Sequence, residues 1–326
     1  MQSWLERVWY DGGRGGAWLR PLACLFGLVV DARRSAYRRG WLTRVAQPRP
    51  VVVVGNLTVG GSGKTPLVAW LALRLAERGI KVGIASRGYG GTADEPMRLG
   101  PDTDATIAGD EPILLARQTG VPVAIGRDRV GAAALLPPEV QLVIADDGLQ
   151  HYRLARNLEI LVIDGERRFG NGRLLPAGPL REPVSRADEA DLLVVNGGAA
   201  REGELRMSLV PGDLITLDGG RRRSLRDFVG QRVHAVAAIG NPARFFSTLK
   251  AAGLEPIEHP HPDHATLTAS DLDFADGLPV LMTEKDAVKC AGLAREGVYW
   301  LEVSAAFTVA DATRLLDRVA ALVPCP

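Results

Sequence analysis

A glycine-rich stretch decides the fold of this chain, and its sequence is Thr58-Val59-Gly60-Gly61-Ser62-Gly63-Lys64-Thr65. Four consecutive valines at 51–54 precede it and predict a buried strand. Pro66 follows it, and apolar residues then recur at helical spacing until Gly79. A strand, a glycine-rich loop and a helix in this order form an anion site, because the loop amides and the helix N-terminus point at one place. We therefore predict that residues 58–65 hold the phosphates of a nucleoside triphosphate.

The last residues of this stretch have the chemistry of a P-loop. Lys64 is expected to reach the β- and γ-phosphates, and the Thr65 hydroxyl to bind Mg²⁺. The first glycine of the usual pattern is replaced by Thr58. The alternative is an ordinary glycine-rich turn with an exposed lysine, but the flanking strand and helix favour the P-loop.

Strand-like and helix-like segments alternate from residue 51 to about 200. The predicted strands are 51–54, 81–85, 121–125, 142–145, 160–163 and 192–195, and the predicted helices are 65–78, 111–119 and 127–136. This alternation predicts an α/β fold, in which a mostly parallel sheet of the P-loop NTPase type carries helices on both faces. The chemistry is then expected at the carboxyl ends of the strands.

The chain is predicted to have four parts. Residues 1–50 form an N-terminal interfacial helical segment, and residues 51–205 form the P-loop core. The pattern changes after this core, and Gly219-Gly220-Arg221-Arg222-Arg223 suggests a linker over 206–230. Strand and helix patterns then resume, so residues 231–326 are expected to form a smaller C-terminal α/β domain.

The composition is that of an ordinary globular protein, with 326 residues, 46% hydrophobic residues and a net charge of +1. This near-neutral total argues against nucleic acid as a partner. The three cysteines, Cys24, Cys290 and Cys325, lack metal-ligand spacing and are too scattered for a disulfide framework. They are typical of a protein from a reducing compartment.

The N-terminal segment is basic and amphipathic. Residues 1–50 contain nine arginines against three acidic residues, with an apolar run at 22–30 and tryptophans at 4, 9 and 18. The run is too short to span a bilayer, and the start of the chain lacks the features of a signal peptide. These features predict a helix that lies in the membrane interface, and the arginines are expected to face anionic lipid. A helix packed on the protein's own surface is an equally good interpretation.

Acidic residues supply the other parts of a phosphoryl-transfer site. Asp146-Asp147 directly follows the strand at 142–145, as a Walker B pair that holds Mg²⁺ does, although helix capping is the alternative. Asp110 precedes a helix and is explained by capping as well as by catalysis. An Asp110–His264 pair would suit removal of a proton from an alcohol, but the sequence alone does not bring the two together.

Several motifs in order carry a close resemblance to a known family. Beside the P-loop stretch they are Ser86-Arg87-Gly88-Tyr89-Gly90, Gly109-Asp110-Glu111-Pro112, Asp146-Asp147-Gly148-Leu149-Gln150-His151, Gly170 to Glu182, Gly240-Asn241-Pro242, Asp263-His264 and Thr283-Glu284-Lys285-Asp286. The chain resembles the tetraacyldisaccharide 4′-kinases, the lipid A 4′-kinases of Gram-negative bacteria. The resemblance extends from the N-terminal apolar segment to the final helix.

The resemblance implies an activity and a location. The expected reaction is transfer of the γ-phosphate of ATP, with Mg²⁺, to the 4′-hydroxyl of a tetraacylated glucosamine disaccharide 1-phosphate. The acylated disaccharide lipid and an anionic membrane surface are the expected partners, without nucleic acid or an obligate protein partner. The enzyme is expected to be peripheral, on the cytoplasmic face of the bacterial inner membrane.

The resemblance also implies roles for individual residues. Asp110 becomes the catalytic base, His264 its partner, and Lys64 the phosphate-binding lysine. The implied metal residues are Thr65, Asp146, Asp147 and Glu182. The implied substrate or phosphate residues are Asp31, Arg87, Tyr89, His151 and Arg181.

Two other functions remain open from the sequence. The first is a P-loop nucleotide switch, and the second is a small-molecule kinase that does not act on lipid. Asn196-Gly197-Gly198 follows a strand where related P-loop proteins read the base, but it lacks the Asn-Lys-x-Asp guanine motif. The sequence therefore favours ATP over GTP.

Overall fold

The computed structural model describes residues 4–10, 16–263, 265–293 and 295–324. The helices of this part of the chain are α1 (Trp4–Tyr10), α2 (Arg20–Arg38), α3 (Lys64–Glu77), α4 (Ala105–Ala108), α5 (Asp110–Thr119), α6 (Arg129–Ala134), α7 (Pro242–Ala251), α8 (Glu284–Lys289) and α9 (Val309–Ala320). The strands are β1 (Val51–Gly55), β2 (Val82–Ser86), β3 (Met97–Arg98), β4 (Val123–Ile125), β5 (Leu142–Asp146), β6 (Leu158–Asp164), β7 (Leu192–Asn196), β8 (Leu205–Thr216), β9 (Arg222–Arg223), β10 (Arg232–Ala237), β11 (Glu255–Pro260), β12 (Val280–Thr283) and β13 (Val298–Phe307).

These strands form one continuous sheet. Their order is β11-β10-β12-β13-β8-β7-β6-β1-β5-β2-β4-β3, with β9 paired to β8. The pairing is parallel except where β13 and β9 meet β8 and where β3 meets β4. The predicted α/β fold with a mostly parallel sheet is confirmed.

The valines of β1 show how the core is built. Val52 and Val54 contribute to the core on the face covered by α3, whereas Val51 and Val53 contribute to the core on the opposite face. All four are at most 1% exposed, because a central parallel strand is covered on both faces. The strand before the glycine-rich loop is therefore held rigidly from both sides.

The predicted linker region begins within a strand of the sheet. In the structure β8 covers residues 205–216, the first part of the stretch 206–230 that we predict as a linker, and it joins the two halves of the sheet. Pro211 lies opposite Val303 of β13, beside a shift in register between Leu301 and Val303. Proline is tolerated in a strand at such an irregularity, so the Pro-Gly step does not end the strand. The predicted domain boundaries stay a prediction.

The helix α2 packs by one narrow face. Ala23, Gly27 and Arg34 are its buried residues, and a Cβ on Gly27 would lie 2.9 Å from the Leu174 side chain. The opposite side exposes large apolar residues, namely Trp18 just before the helix and Leu22, Leu25, Leu28 and Val29 within it. None of the helices in the described ranges is both long and apolar enough to cross a bilayer.

Candidate active site

The glycine-rich loop lies between the end of β1 and the start of α3. Gly60 and Gly63 have φ of 101° and 94°, a backbone region that favours glycine. A Cβ on Gly63 would also collide with the side-chain amide of Asn196. Residues 59–65 line a cleft of about 510 Å³, and the buried Ser62 hydroxyl faces no partner in the described residues. This loop therefore has the shape and the available donors of an anion cradle.

Thr58 differs from the other predicted phosphate residues. It is only 8% exposed and forms an isolated bridge with Leu180, and it does not contribute to the lining of the cleft. Next to it, the Val59 amide donates to the Pro179 carbonyl at 2.9 Å. Thr58 therefore anchors the loop to residues 179–180, and its predicted role in contacting phosphate is not supported by this position.

Two asparagines that the sequence did not mark as site residues hold the loop. Asn56 Oδ1 accepts a hydrogen bond from Lys64 Nζ at 3.1 Å. Asn196 Nδ2 donates to the Ser62 carbonyl at 3.1 Å, and Asn196 is 2% exposed. Asn196, the last residue of β7, thus supports the loop backbone through the Ser62 carbonyl.

Asp147 lies between two cations of the cleft. Arg181 Nη1 donates to both of its carboxylate oxygens at 3.1 Å, and Lys64 Nζ lies 3.5 Å from Oδ1. Burial alone would raise the pKa of Asp147, but Lys64 and Arg181 lower it to about 2. The structure thus brings together the predicted residues Lys64, Asp147 and Arg181.

Asp146 has a different environment. It is 1% exposed, its Oδ2 accepts from the Ser86 hydroxyl at 3.0 Å, and its Oδ1 has no partner among the described residues. Burial raises the pKa of Asp146 to about 7, and the charges of Glu111 and Asp147 add to this rise. A buried carboxylate oxygen without a donor is costly, and a cation would satisfy it.

These residues fit a magnesium ion. The described residues contain no group of three or more His, Cys, Asp or Glu side chains arranged to hold a metal. Mg²⁺ in nucleotide sites usually takes only one or two carboxylates and completes its shell with phosphates and water. Asp146, with its available oxygen, and Thr65, which lines the cleft, match that requirement.

A buried arginine supports the two aspartates. Arg129 is 3% exposed, and its Nη2 donates to the carbonyls of Asp146 and Asp147 at 3.3 Å each. Asp147 has φ of 46°, which is unusual for a residue other than glycine. Arg129 therefore holds the backbone that directs the two carboxylates to different partners.

Glu182 has a protein donor near each of its carboxylate oxygens. Glu182 is 1% exposed, and one oxygen accepts from the Tyr152 hydroxyl while the other lies 3.4 Å from Gln150 Nε2. Like Asp146, it does not contribute to the lining of the cleft. Because both oxygens face protein donors, Glu182 fixes the backbone next to Arg181 in this structure, and its metal role stays a prediction.

Glu111 of α5 and Lys285 of α8 line the other wall of the cleft, and Asp110 lies beside Glu111 without lining it. Asp110 is the first residue of α5 and is 5% exposed, and its Oδ1 accepts from the Glu111 amide at 2.9 Å. Lys285 Nζ donates to Glu111 at 3.0 Å and lies 3.9 Å from Asp263. Burial alone would lower the pKa of Lys285, but Glu111, Asp110 and Asp263 raise it. The predicted partner of Asp110, His264, lies outside the described residues.

The remaining predicted substrate residues are divided by the structure. Arg87, Tyr89 and Arg181 line the cleft. His151 and Asp31 do not, and the side chain of Asp31 is 65% exposed on α2, 4.0 Å from Arg34. The role predicted for Asp31 therefore gains no support from its position.

Residues from the C-terminal half of the chain form part of the cleft wall. Gly240 approaches the loop so closely that a Cβ on it would lie 3.2 Å from the Gly61 amide. Arg244 of α7 lines the same cleft and donates to Asp164, at the end of β6, at 2.9 Å. A P-loop with its lysine, a buried acidic pair and a second wall with its own acids and lysine define a nucleotide-binding phosphotransferase of the P-loop class.

Comparisons with known proteins identify the family. The family model described as tetraacyldisaccharide-1-P 4′-kinase, LpxK, matches residues 16–321. The chain therefore belongs to the tetraacyldisaccharide-1-P 4′-kinase family, and the resemblance found in the sequence is confirmed.

Individual relatives agree with this assignment. The tetraacyldisaccharide 4′-kinase of Alkalilimnicola ehrlichii is 53% identical over 306 residues, which are 93% of this chain and 92% of the relative. That of Stenotrophomonas maltophilia is 49% identical over 327 residues, with 97% and 96% covered. A crystal structure of LpxK from Aquifex aeolicus in complex with ATP is similar with a TM-score of 0.80 and 29% identity, over 95% of this chain and 99% of that one.

Proposed function

We propose that this chain transfers the γ-phosphate of ATP to the 4′-hydroxyl of a tetraacylated glucosamine disaccharide 1-phosphate, a step of lipid A biosynthesis. For a chain of this family, the proposal rests on one structural observation. Lys64, Asp147 and Arg181 meet in a single cleft with the glycine-rich loop on one side and Glu111 and Lys285 on the other. Phosphoryl transfer depends mainly on such positioned charges and much less on covalent chemistry of the protein.

The loop residues 59–65 bind the triphosphate in this proposal. Their amides and the N-terminus of α3 attract the phosphate oxygens, and the Ser62 hydroxyl supplies a further donor. The Lys64 ammonium group is held beside the loop by Asn56 and Asp147, so only its side chain has to move to contact the nucleotide. A cation that is already positioned stabilises the charge of the transition state at a low cost in side-chain entropy.

Thr65, Asp146 and Asp147 are the residues proposed to hold or orient Mg²⁺. A bound ion offsets negative charge between the phosphates and helps to orient them. Asp146 offers an oxygen without a protein donor, whereas Asp147 is already paired with two cations. Asp146 is therefore the stronger candidate for direct contact with the ion.

Asp110 is proposed to take the proton from the sugar hydroxyl, with His264 as its partner. Burial at the N-terminus of α5 fixes the Asp110 carboxylate, and it lies in the electrostatic environment of Lys285 on the cleft wall. Arg87, Tyr89 and Arg181 line the cleft where an acceptor could enter. A base in this place would increase the nucleophilicity of the attacking oxygen.

The substrate's four acyl chains place the reaction at a membrane. The exposed stripe on α2 includes Leu28, which is 68% exposed, and Val29, which is 61% exposed. A basic helix with such a stripe lies in the headgroup layer, so we propose peripheral association with the cytoplasmic face of the bacterial inner membrane. Residues 1–50 would form this interfacial segment.

A direct assay tests the proposed reaction. Purified protein is incubated with Mg·ATP and the tetraacyl disaccharide 1-phosphate, and the lipid is analysed by mass spectrometry. The expected product carries one additional phosphate, and it is lost in Lys64→Met and retained in Lys81→Met, which changes an exposed lysine. Strong GTP hydrolysis without lipid and without a phosphorylated product would favour a nucleotide switch instead.

A further inference from the structure

Two histidines and an aspartate from distant parts of the chain meet at one end of the sheet. His234 lies on β10, and His259 lies on β11, the strand at that end of the described sheet. The register pairs His234 with Ile257, two residues before His259, so the two imidazoles project from the same face. Asp276 comes from the segment between β11 and β12. None of these three side chains lines the cleft, so they form a separate polar cluster.

The two imidazole rings of this cluster approach each other closely. His234 Nδ1 lies 2.9 Å from His259 Nε2. An ion with metal–nitrogen bonds of about 2.0–2.1 Å spaces two neighbouring ligand nitrogens about 2.9 Å apart in square or octahedral geometry and about 3.4 Å apart in tetrahedral geometry. The observed separation therefore suits two ligands of one ion. A hydrogen bond between the two rings has the same length, so the surroundings of the rings decide between the two interpretations.

Asp276 holds His234 in the form that a metal needs. Its two carboxylate oxygens lie 3.0 and 3.1 Å from His234 Nε2 and accept a hydrogen bond from that nitrogen. In the neutral imidazole the proton is then on Nε2 and the lone pair is on Nδ1, which faces His259. Histidines that bind metals usually donate their other N–H to a carboxylate in this way. His234 thus has both the lone pair and the outer partner of a metal ligand.

Aromatic packing fixes the orientation of both rings. The Phe274 ring stacks on His234 with the centroids 3.6 Å apart, and it lies 4.6 Å from the His259 ring. His234 is 5% exposed whereas His259 is half-buried, so an ion bound here would contact water on the side of His259. Burial lowers the pKa of His259, and the charges of His234 and His261 act in the same direction. His259 is therefore neutral at pH 7, as a metal ligand must be.

We propose that His234 Nδ1 and His259 Nε2 bind one divalent transition-metal ion of the kind that prefers imidazole, namely Zn²⁺, Ni²⁺ or Cu²⁺. Binding replaces the hydrogen bond between the rings. The proton of His259 leaves Nε2 and Nδ1 takes one up from water, and both facing lone pairs then bind the ion, with Asp276 as the outer partner of His234. The described residues contain no group of three His, Cys, Asp or Glu side chains placed to hold an ion, so water completes its coordination. The site is independent of the proposed kinase reaction and of its Mg²⁺.

An ion at this place would link three parts of the C-terminal half of the chain. His234 and His259 come from neighbouring strands, and Asp276 fastens the segment before β12 to them. The same segment begins after Pro260 and contains Asp263, which lines the cleft. Metal binding should therefore stabilise this part of the structure, because a ligand that binds only the folded state raises its stability.

Calorimetric titration of the full chain with Ni²⁺, without an affinity tag, tests the site. An excess of Mg²⁺ is present throughout to compete for sites built from oxygen ligands. We expect one Ni²⁺ per chain. His259→Gln should weaken binding by more than about tenfold, and Asp276→Asn, which keeps both imidazoles, by about tenfold, the lower end of the usual effect of an outer partner. His261→Gln is the matched control, since it removes an imidazole two residues from His259 and should leave the affinity unchanged.

Thermal unfolding separates loss of binding from loss of folding. Ni²⁺ should raise the unfolding midpoint of the wild type and of His261→Gln but not that of His259→Gln, whose midpoint without metal shows whether it is folded. If His259→Gln does not fold, Asp276→Asn decides the result, because its carboxylate is 48% exposed. Wild-type affinity in the deciding variant would overturn the proposal. Equal losses in His261→Gln and His259→Gln, or no Ni²⁺ binding by the wild type, would overturn it too.

Discussion

Arg181 and Asp147, which are 34 residues apart in the chain, form a two-point ion pair inside the cleft. One guanidinium nitrogen of Arg181 lies 3.1 Å from each carboxylate oxygen of Asp147. The Arg181 amide also donates to the Leu57 carbonyl at 2.7 Å, just before the glycine-rich loop. The pair therefore connects the acidic motif, the loop at 170–182 and the phosphate cradle.

Arg181→Ala is expected to lower kcat/KM about 10- to 100-fold, because a positioned cation is removed from the site of charge transfer. Steady-state kinetics with the lipid acceptor measures this effect. The control is Arg173→Ala, an exposed arginine of the same loop, which should keep wild-type kinetics. Equal rates for the two variants would contradict a role for Arg181 in the cleft.

Gly63→Ala is expected to destabilise the fold by about 2 kcal/mol. The alanine would need a φ of 94° and its Cβ would meet the Asn196 amide, which supports the loop. Gly61→Ala is a matched control, since a Cβ there has no atom within 4 Å and is expected to change stability by less than about 0.5 kcal/mol. Denaturant unfolding of the two variants checks this, and similar stabilities would argue against the close contact.

The environment of Glu284 predicts that the stability of the fold depends on pH. Burial raises the pKa of Glu284 from 4.5 to about 7, although the hydrogen bond from Gln118 opposes this rise. The folded state then binds the proton more tightly than the unfolded state. The contribution of Glu284 to the stability of the folded state is present below about pH 4.5 and is lost as the pH rises through 7.

Glu284→Gln should remove this dependence. The relevant quantity is the free energy of unfolding of the variant minus that of the wild type. We expect this difference to be more positive at pH 8 than at pH 5, by on the order of 1 kcal/mol. The measurement is urea unfolding at both pH values. Glu139→Gln, at an exposed position, is the control, and its difference in free energy of unfolding from the wild type should be the same at pH 5 and pH 8. A relative loss for Glu284→Gln at pH 8 would contradict the prediction.

The double variant Leu25→Glu, Leu28→Glu tests the apolar face of α2. It should reduce binding to anionic vesicles at least tenfold, because burial of a leucine side chain contributes about 1.5–3 kcal/mol. Co-sedimentation measures the bound fraction. Val309→Glu, at an 85% exposed apolar position on α9, is the control and should bind like the wild type. Unchanged binding of the double variant would show that this face does not enter the membrane.

The elements of the fold could largely be predicted because their signals are local. The valines at 51–54, the glycines at 60, 61 and 63 and the acids at 146 and 147 are each recognised within a few residues of the chain. The predicted helix at 65–78 differs from α3 by one residue at each end. The sequence does not predict strand β8, although its first residues alternate between buried and exposed, because the change of pattern and the glycines and arginines at 219–223 indicate a linker there.

The supports of the site could not be predicted, because they depend on contacts distant in sequence. Asn196 supports Ser62 across 134 residues, and Arg129 of α6 supports Asp146 and Asp147 at the end of β5. An isolated asparagine or arginine after a strand has many possible partners, and only the folded chain selects one. The same limit applies to Glu182, whose contacts with Tyr152 and Gln150 span 30 and 32 residues of the chain.

The central claim is that this cleft binds ATP and that Asp110 takes the proton from the acceptor alcohol. Single-turnover phosphorylation of the lipid by Asp110→Asn, measured beside ATP binding by the same variant, tests it most directly. We predict that the dissociation constant for ATP changes less than about threefold while the transfer rate falls about 10²- to 10⁴-fold, the usual contribution of a general base. Transfer at the wild-type rate would contradict the claim, and loss of ATP binding in a folded variant would show that Asp110 serves the nucleotide instead.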